Sequence, residues 1–167
     1  MGTVEIVMFS AMAAAAVIDV RTMRIPNALT FSLMAVGLLT HALGGSLMVG
    51  VAGLLGAFAI WYGFAVLGLF APGDGKLMMG VGAMIGFWEM VEATAASLVL
   101  FAPVGFATLA ALGRLPNFVA AVRWTAMKAL NVPVGDRPEP TKMAHAPLLL
   151  VAVAFAHYTT WLEDILW

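Results

Sequence analysis

The chain has 167 residues, 63% of them hydrophobic and only 10% charged, with a formal net charge of −1 and a mean hydropathy of +1.01. Soluble domains carry about 25% charged residues, so the composition excludes an ordinary soluble domain and predicts an all-α, polytopic membrane protein. The absence of cysteine removes disulfides, thiolate metal sites and cysteine nucleophiles, and His41, His145 and His157 show no metal-ligand spacing.

A helix needs about 20 mostly apolar residues to cross the hydrocarbon core. The first predicted span covers 3–20, read as a retained helix and not a signal peptide because no Lys or Arg precedes Arg21. Arg21 and Arg24 follow, and Pro26-Asn27 ends one helix and starts the next. The second span covers 28–43 and stops at Gly44-Gly45; the third covers 46–70 and stops at Ala71-Pro72-Gly73. Residues 77–113 hold only Glu89 and Glu92 as charges, too long a run for one crossing and just enough for two. Division near Glu89 gives a short fourth helix from about Asp74 and a fifth ending near Gly113. The last span covers 147–162.

This reading gives about six transmembrane helices in a single membrane domain over 1–167, with 114–146 as a cytoplasmic loop. Within the loop, 117–130 set Phe118, Val119, Val122, Met127 and Leu130 at near-helical spacing, with Arg123 and Lys128 off the stripe and Asn117 as an N-cap. Such a segment is either an interfacial helix on anionic lipid or a solvated connector. Residues 131–142 hold three prolines and should be irregular.

Charge supports the count. If six helices alternate, all eight basic residues (Arg21, Arg24, Lys76, Arg114, Arg123, Lys128, Arg137 and Lys142) fall on one side, and only Glu5, Glu89, Glu92, Glu163 and Asp164 on the other. By the positive-inside rule the basic side is cytoplasmic and both termini lie outside. Gly50, Gly53 and Gly56, and Gly82 with Gly86, have the spacing of close helix packing. The twelve methionines are expected at helix contacts.

Two aspartates stand out against this background. Asp19 ends the first span and Asp74 opens the fourth, both at the cytoplasmic boundary. Each has a plain explanation alone: Asp19 as a charge paired with Arg21, Asp74 as an N-cap. Together they form a pair of carboxylates, the smallest set able to activate water for peptide hydrolysis. The dipole of the first helix disfavours negative charge at Asp19, and that of the fourth favours it at Asp74, so Asp74 reads as the base and Asp19 as the acid. His145 reads as a boundary histidine or as a residue at the mouth of such a site.

Ile18-Asp19-Val20-Arg21 with Ile25-Pro26-Asn27, followed by Gly73-Asp74-Gly75-Lys76, resembles the bacterial type IV prepilin peptidases, intramembrane aspartyl proteases of the Gly-x-Gly-Asp class. Met143-Ala144-His145-Ala146-Pro147 resembles the segment leading into that family's last helix. The resemblance implies Asp19 and Asp74 as catalytic residues, with Arg21, Pro26, Asn27, Gly73 and Lys76 as supporting motif positions. It also implies no metal or cofactor, and prepilin or pseudopilin substrates cut after a leader glycine at the cytoplasmic face of the inner membrane. Membrane lipids are the other expected partner, with no nucleic acid; the oligomeric state stays open. Ala71 stands where the family motif has its first glycine, and alanine lacks glycine's access to positive φ. With no cysteine pairs, the chain resembles the compact members serving Flp (tight-adherence) pili, which implies peptidase activity without methylation. Two competing readings are a small proton- or cation-coupled transporter subunit and a membrane scaffold without chemistry.

Overall fold

A computed structural model describes residues 2–67, 69–136, 138 and 144–159, and these form seven α-helices. They are α1 (Thr3–Thr22), α2 (Asn27–Leu43), α3 (Leu47–Leu67), α4 (Pro72–Ile85), α5 (Phe87–Ala111), α6 (Leu115–Ala129) and α7 (Ala146–Tyr158). The helix order of the sequence reading is reproduced; several boundaries move. Arg137, Lys142, Met143 and the end of the last predicted span at 160–162 lie outside the described residues.

α1, α3 and α5 have 20, 21 and 25 residues and are long and apolar enough to cross a membrane; α2 and α7 are shorter apolar helices. Large apolar side chains such as Leu43, Met48, Phe31 and Val99 stand on the outside. Exposed apolar surface on this scale is stable in lipid and unstable in water.

α4 is the central element. Asp74, Gly75, Leu77, Met78 and Gly80 through Met84 are all buried, so the helix is enclosed nearly all round. It packs chiefly against α3 and α2. Glycines permit the approach: a Cβ on Gly53 would strike the Gly82 carbonyl, and one on Gly37 would lie 2.6 Å from the Ala83 carbonyl carbon. Gly53 faces Gly82 and Trp61 faces Gly75, so α3 runs antiparallel to α4, whereas Leu33 against Gly80 and Gly37 against Ala83 make α2 parallel to it. α7 packs between α5 and α1, burying Leu149, Ala152, Val153 and Ala156. The Trp61 indole N–H donates to Thr94 Oγ1 at 3.1 Å, joining α3 to α5 by a polar bond where lipid offers no alternative partner.

The fourth helix begins at Pro72, two residues before the sequence placed it, because Pro suits a first helical turn. The α4–α5 break falls at Gly86, three residues before Glu89, which lies in the first turn of α5. Gly86 has φ 88° and ψ −177°, a conformation that is essentially glycine's alone. Its N–H closes α4 on the Gly82 carbonyl at 2.9 Å, and its own carbonyl accepts the Met90 N–H at 3.3 Å to open α5. The third helix stops at Leu67, short of 70; the Leu69 N–H turns back to the Phe64 carbonyl and Phe70 folds into the core. The helix expected at 117–130 spans Leu115–Ala129 with Pro116 in its first turn, so Asn117 lies inside it and not at the cap. α6 has no buried residue.

The helix directions define two ends. α1 and α3 finish, and α2, α4 and α7 start, at the end that carries the aspartates. At the other end His157 lies between Glu5 (3.4 Å) and Glu89 (3.3 Å), and His41 bonds Ser46 Oγ and the Met84 carbonyl.

Candidate active site

Asp19 belongs to a buried stripe. Met8, Met12, Ala15, Ala16 and Asp19 are the buried residues of α1, spaced by three and four so that they share one helical face. The carboxylate therefore points where the methionines point, into the bundle, and is only 5% exposed. Arg21, two residues on, stands on an exposed face. A local Asp19–Arg21 pair is absent among the described residues; Asp19 Oδ2 instead accepts the Ala146 backbone N–H at 3.1 Å. The α1 helix ends just beyond, at Met23 in the left-handed region, whose N–H bonds the Asp19 carbonyl.

Asp74 is the third residue of α4, not its N-cap. The cap position is Ala71, whose N–H donates to Asp74 Oδ2 at 3.0 Å. This is the acidic arm of a capping box, built without a hydroxyl at the cap. The same Oδ2 lies 2.9 Å from His145 Nδ1. Asp74 is 2% exposed, and both polar contacts fall on one oxygen. Ala71 has φ −77° and ψ 150°, extended backbone that any residue adopts. Alanine in place of the motif glycine thus imposes no strain on the loop before Asp74.

The two carboxylates are held by consecutive residues at the start of α7: His145 takes Asp74 and Ala146 takes Asp19. The arrangement changes the electrostatic expectation. Asp19 does sit at the C-terminal end of α1, but its carboxylate meets the N-terminal end of α7, where a helix favours negative charge. Both aspartates therefore lie at helix N-termini. The contact spans 127 residues of chain, beyond the reach of a local dipole argument.

A cavity of about 520 Å³ opens beside the pair, lined by Ile18, Asp19, the 22–27 turn, Ala71, Gly73, Asp74 and Lys76. The two sequence motifs thus form one wall. Thr22 Oγ1 donates to the Ile18 and Arg24 carbonyls, shaping the turn, and Pro26 caps α2. Lys76 Nζ donates to Asn27 Oδ1 at 2.9 Å, pinning the first residue of α2 to α4. Its ammonium also lies 5.7 Å from the Phe31 ring centroid. Of the supporting residues the structure gathers Pro26, Asn27, Gly73 and Lys76 at the cavity; Arg21 does not line it. Asn27→Ala should cost below about 1 kcal/mol of stability, since the bond is exposed. Melting in detergent would check this.

The residue that sequence reasoning underrated is His145. It is buried at 7% exposure, and Phe101 and Phe70 pack on its ring at 4.6 and 5.4 Å between centroids. A boundary histidine would face water. A signal was present: His145 precedes Leu149, Ala152 and Ala156 by 4, 7 and 11 residues, which places it on the buried stripe of α7. Its partner, 71 residues away, was not deducible from that stripe.

Comparison with known proteins adds one finding. The sequence model of the type IV leader peptidase family matches residues 6–106, a stretch holding both aspartates, the α1–α2 turn and all of α4. No curated protein and no solved structure matches the chain.

Proposed function

Because the chain belongs to the type IV leader peptidase family, an aspartic-type prepilin peptidase family, we propose that Asp19 and Asp74 are its catalytic pair. The observation that carries this is their common anchorage: two buried carboxylates, from helices far apart in sequence, held by adjacent residues beside a cavity made of the motif positions. Family membership sets aside the transporter and scaffold readings.

In this reading Asp74 is the base. Its Oδ2 is taken up by the Ala71 N–H and His145, and its Oδ1 has no protein partner among the described residues. That oxygen accepts a proton from a water in the cavity, and the hydroxide so formed attacks the scissile carbonyl. Asp19, protonated, donates to the carbonyl oxygen. Collapse of the tetrahedral intermediate breaks the C–N bond as a proton passes to the leaving nitrogen. The acid–base division is assigned on the two polar contacts at Asp74 Oδ2, the Ala71 N–H and the His145 ring, against one at Asp19.

The aspartate end faces the cytoplasm in this scheme. Arg21, Arg24, Lys76 and Arg114 lie near that end, and Glu5 and Glu89 at the other. We read α1 to α5 and α7 as six crossings of one membrane domain, α1, α3 and α5 at full spanning length and α2, α4 and α7 shorter. On the same reading α6 rests on the lipid surface, with Val119, Val122 and the following Leu130 exposed beside Arg123 and Lys128. Prepilins of Flp type, cut after a leader glycine, are the substrates proposed, on the resemblance to the compact members. A basic leader would stay at the anionic headgroups while the pilin helix stays in lipid.

The test is cleavage of such a prepilin by the purified protein in liposomes, with mass spectrometry to locate the cut. A single cut after the leader glycine is expected. A folded protein that leaves Flp-type prepilins whole but cuts other prepilins would overturn the substrate class alone.

A further inference from the structure

His145 has no role in the water chemistry above, yet it is the side chain most closely engaged with Asp74. It occupies the N-cap position of α7 but makes no side-chain bond to its own helix. A capping role would turn the ring toward the backbone N–H groups of α7; instead Nδ1 reaches Asp74 Oδ2 at 2.9 Å, across to another helix. With Asp74 ionised, as the base of the reading above, its carboxylate only accepts and Nδ1 carries the hydrogen. Phe70, from the α3–α4 link, and Phe101, from α5, fix the plane of the ring.

We propose that His145 is a positioning residue for the aspartate pair: its Nδ1–H fixes the Asp74 carboxylate while the next peptide N–H fixes that of Asp19, so the start of α7 sets the separation of the two carboxylates. The proposal rests on Asp19 and Asp74 being the catalytic pair. Two carboxylates that must share one water and the two ends of one peptide bond tolerate little error in separation, since a misplacement near 1 Å costs about a hundredfold in rate. A backbone N–H can fix Asp19 through any residue at 146 except proline. The Ala71 N–H bonds Asp74 Oδ2 from within α4, but only a donor side chain at 145 can tie that oxygen to α7.

Two variants separate donor from packing. His145→Phe keeps an aromatic ring between Phe70 and Phe101 and loses the donor. His145→Asn loses the ring but carries an amide nitrogen as many bonds from Cα as the histidine Nδ1. If positioning is the role, His145→Phe lowers kcat by about ten- to a hundredfold, the range for a hydrogen bond to a charged group, with KM unchanged. His145→Asn then recovers kcat to within about threefold of wild type despite a lower melting temperature in detergent. If His145 only fills space, the order reverses: His145→Phe turns over like wild type and His145→Asn is the impaired variant, and the proposal is overturned. A rise in KM at constant kcat in His145→Phe also overturns it. Asp74→Asn run alongside keeps the two readings apart. An active Asp74→Asn refutes the catalytic pair itself, whereas an inert Asp74→Asn beside a fully active His145→Phe refutes only the positioning role.

Discussion

Asp74→Asn and Asp19→Asn should each leave a folded protein that cleaves prepilin at least about a thousandfold more slowly than wild type. The size follows from the loss of a general base or acid for which the site holds no substitute, an effect of about 10²–10⁴-fold for proton transfer alone and larger where two groups act as a unit. The survival of the fold follows from which oxygen is engaged. Asp74 Oδ2 receives both the Ala71 N–H and the His145 Nδ1–H. An asparagine can place its carbonyl oxygen there and its amide nitrogen at the free Oδ1 position, keeping both bonds and losing only the base. The same substitution at 19 keeps the Ala146 N–H bonded to a carbonyl oxygen and places an amide where the transferable proton stood. Asp74→Ala is the informative contrast. It removes the capping arm of α4 as well, at about 1 kcal/mol, and strands a buried ring N–H at a further cost of about 1–3 kcal/mol. Rates measured beside melting in detergent should therefore show Asn variants inert at near-wild-type stability, and the Ala variant inert and less stable. Measurable turnover by Asp74→Asn would remove Asp74 from the chemistry.

Much of this site could be read from the chain because its parts are local. The α1–α2 turn carries Pro26-Asn27 and the start of α4 carries Pro72-Gly73-Asp74, each a short segment whose conformation its own residues dictate. Helix order was readable for the same reason, since apolar length and turn residues are local properties. What escaped was tertiary. The position of the α4–α5 break turned on the positive φ of Gly86, whereas the sequence offered Glu89 as the more conspicuous polar marker. The Asp19 environment depended on the approach of α7, which replaced a dipole penalty with a bonded N–H. His145 was visible only as a lone polar residue ahead of an apolar helix. Its spacing to the buried residues of α7 is that of a buried position, which the reading as a boundary or mouth residue passed over. A buried histidine requires a partner, and nothing local could say that the partner was Asp74.

Gly53→Val should remove activity by a different route, through the seat of Asp74. Gly53 on α3 and Gly82 on α4 face each other so closely that a side chain on Gly53 would strike the Gly82 carbonyl. That atom is backbone, and a helix cannot yield there as a flexible side chain would. Either α3 and α4 separate or α4 slides along its axis. Overpacking of this kind costs about 1–3 kcal/mol, sometimes more, and separation also forfeits the close Trp61–Gly75 contact beside Asp74. Since α4 holds Asp74 in its first turn, a shift near 1 Å at residue 82 carried along the helix would lower kcat by about a hundredfold, even in the molecules that remain folded. Gly63→Ala on the same helix is the matched control: a Cβ there meets nothing within 4 Å, and alanine is the better helix former by about 1 kcal/mol. The expected result is a Gly63→Ala protein at least as stable as wild type and fully active, beside a Gly53→Val protein lower in both melting temperature and kcat. Full activity in Gly53→Val would mean that α3 and α4 need not touch for Asp74 to work, and that the anchorage from α7 alone suffices to hold the carboxylate.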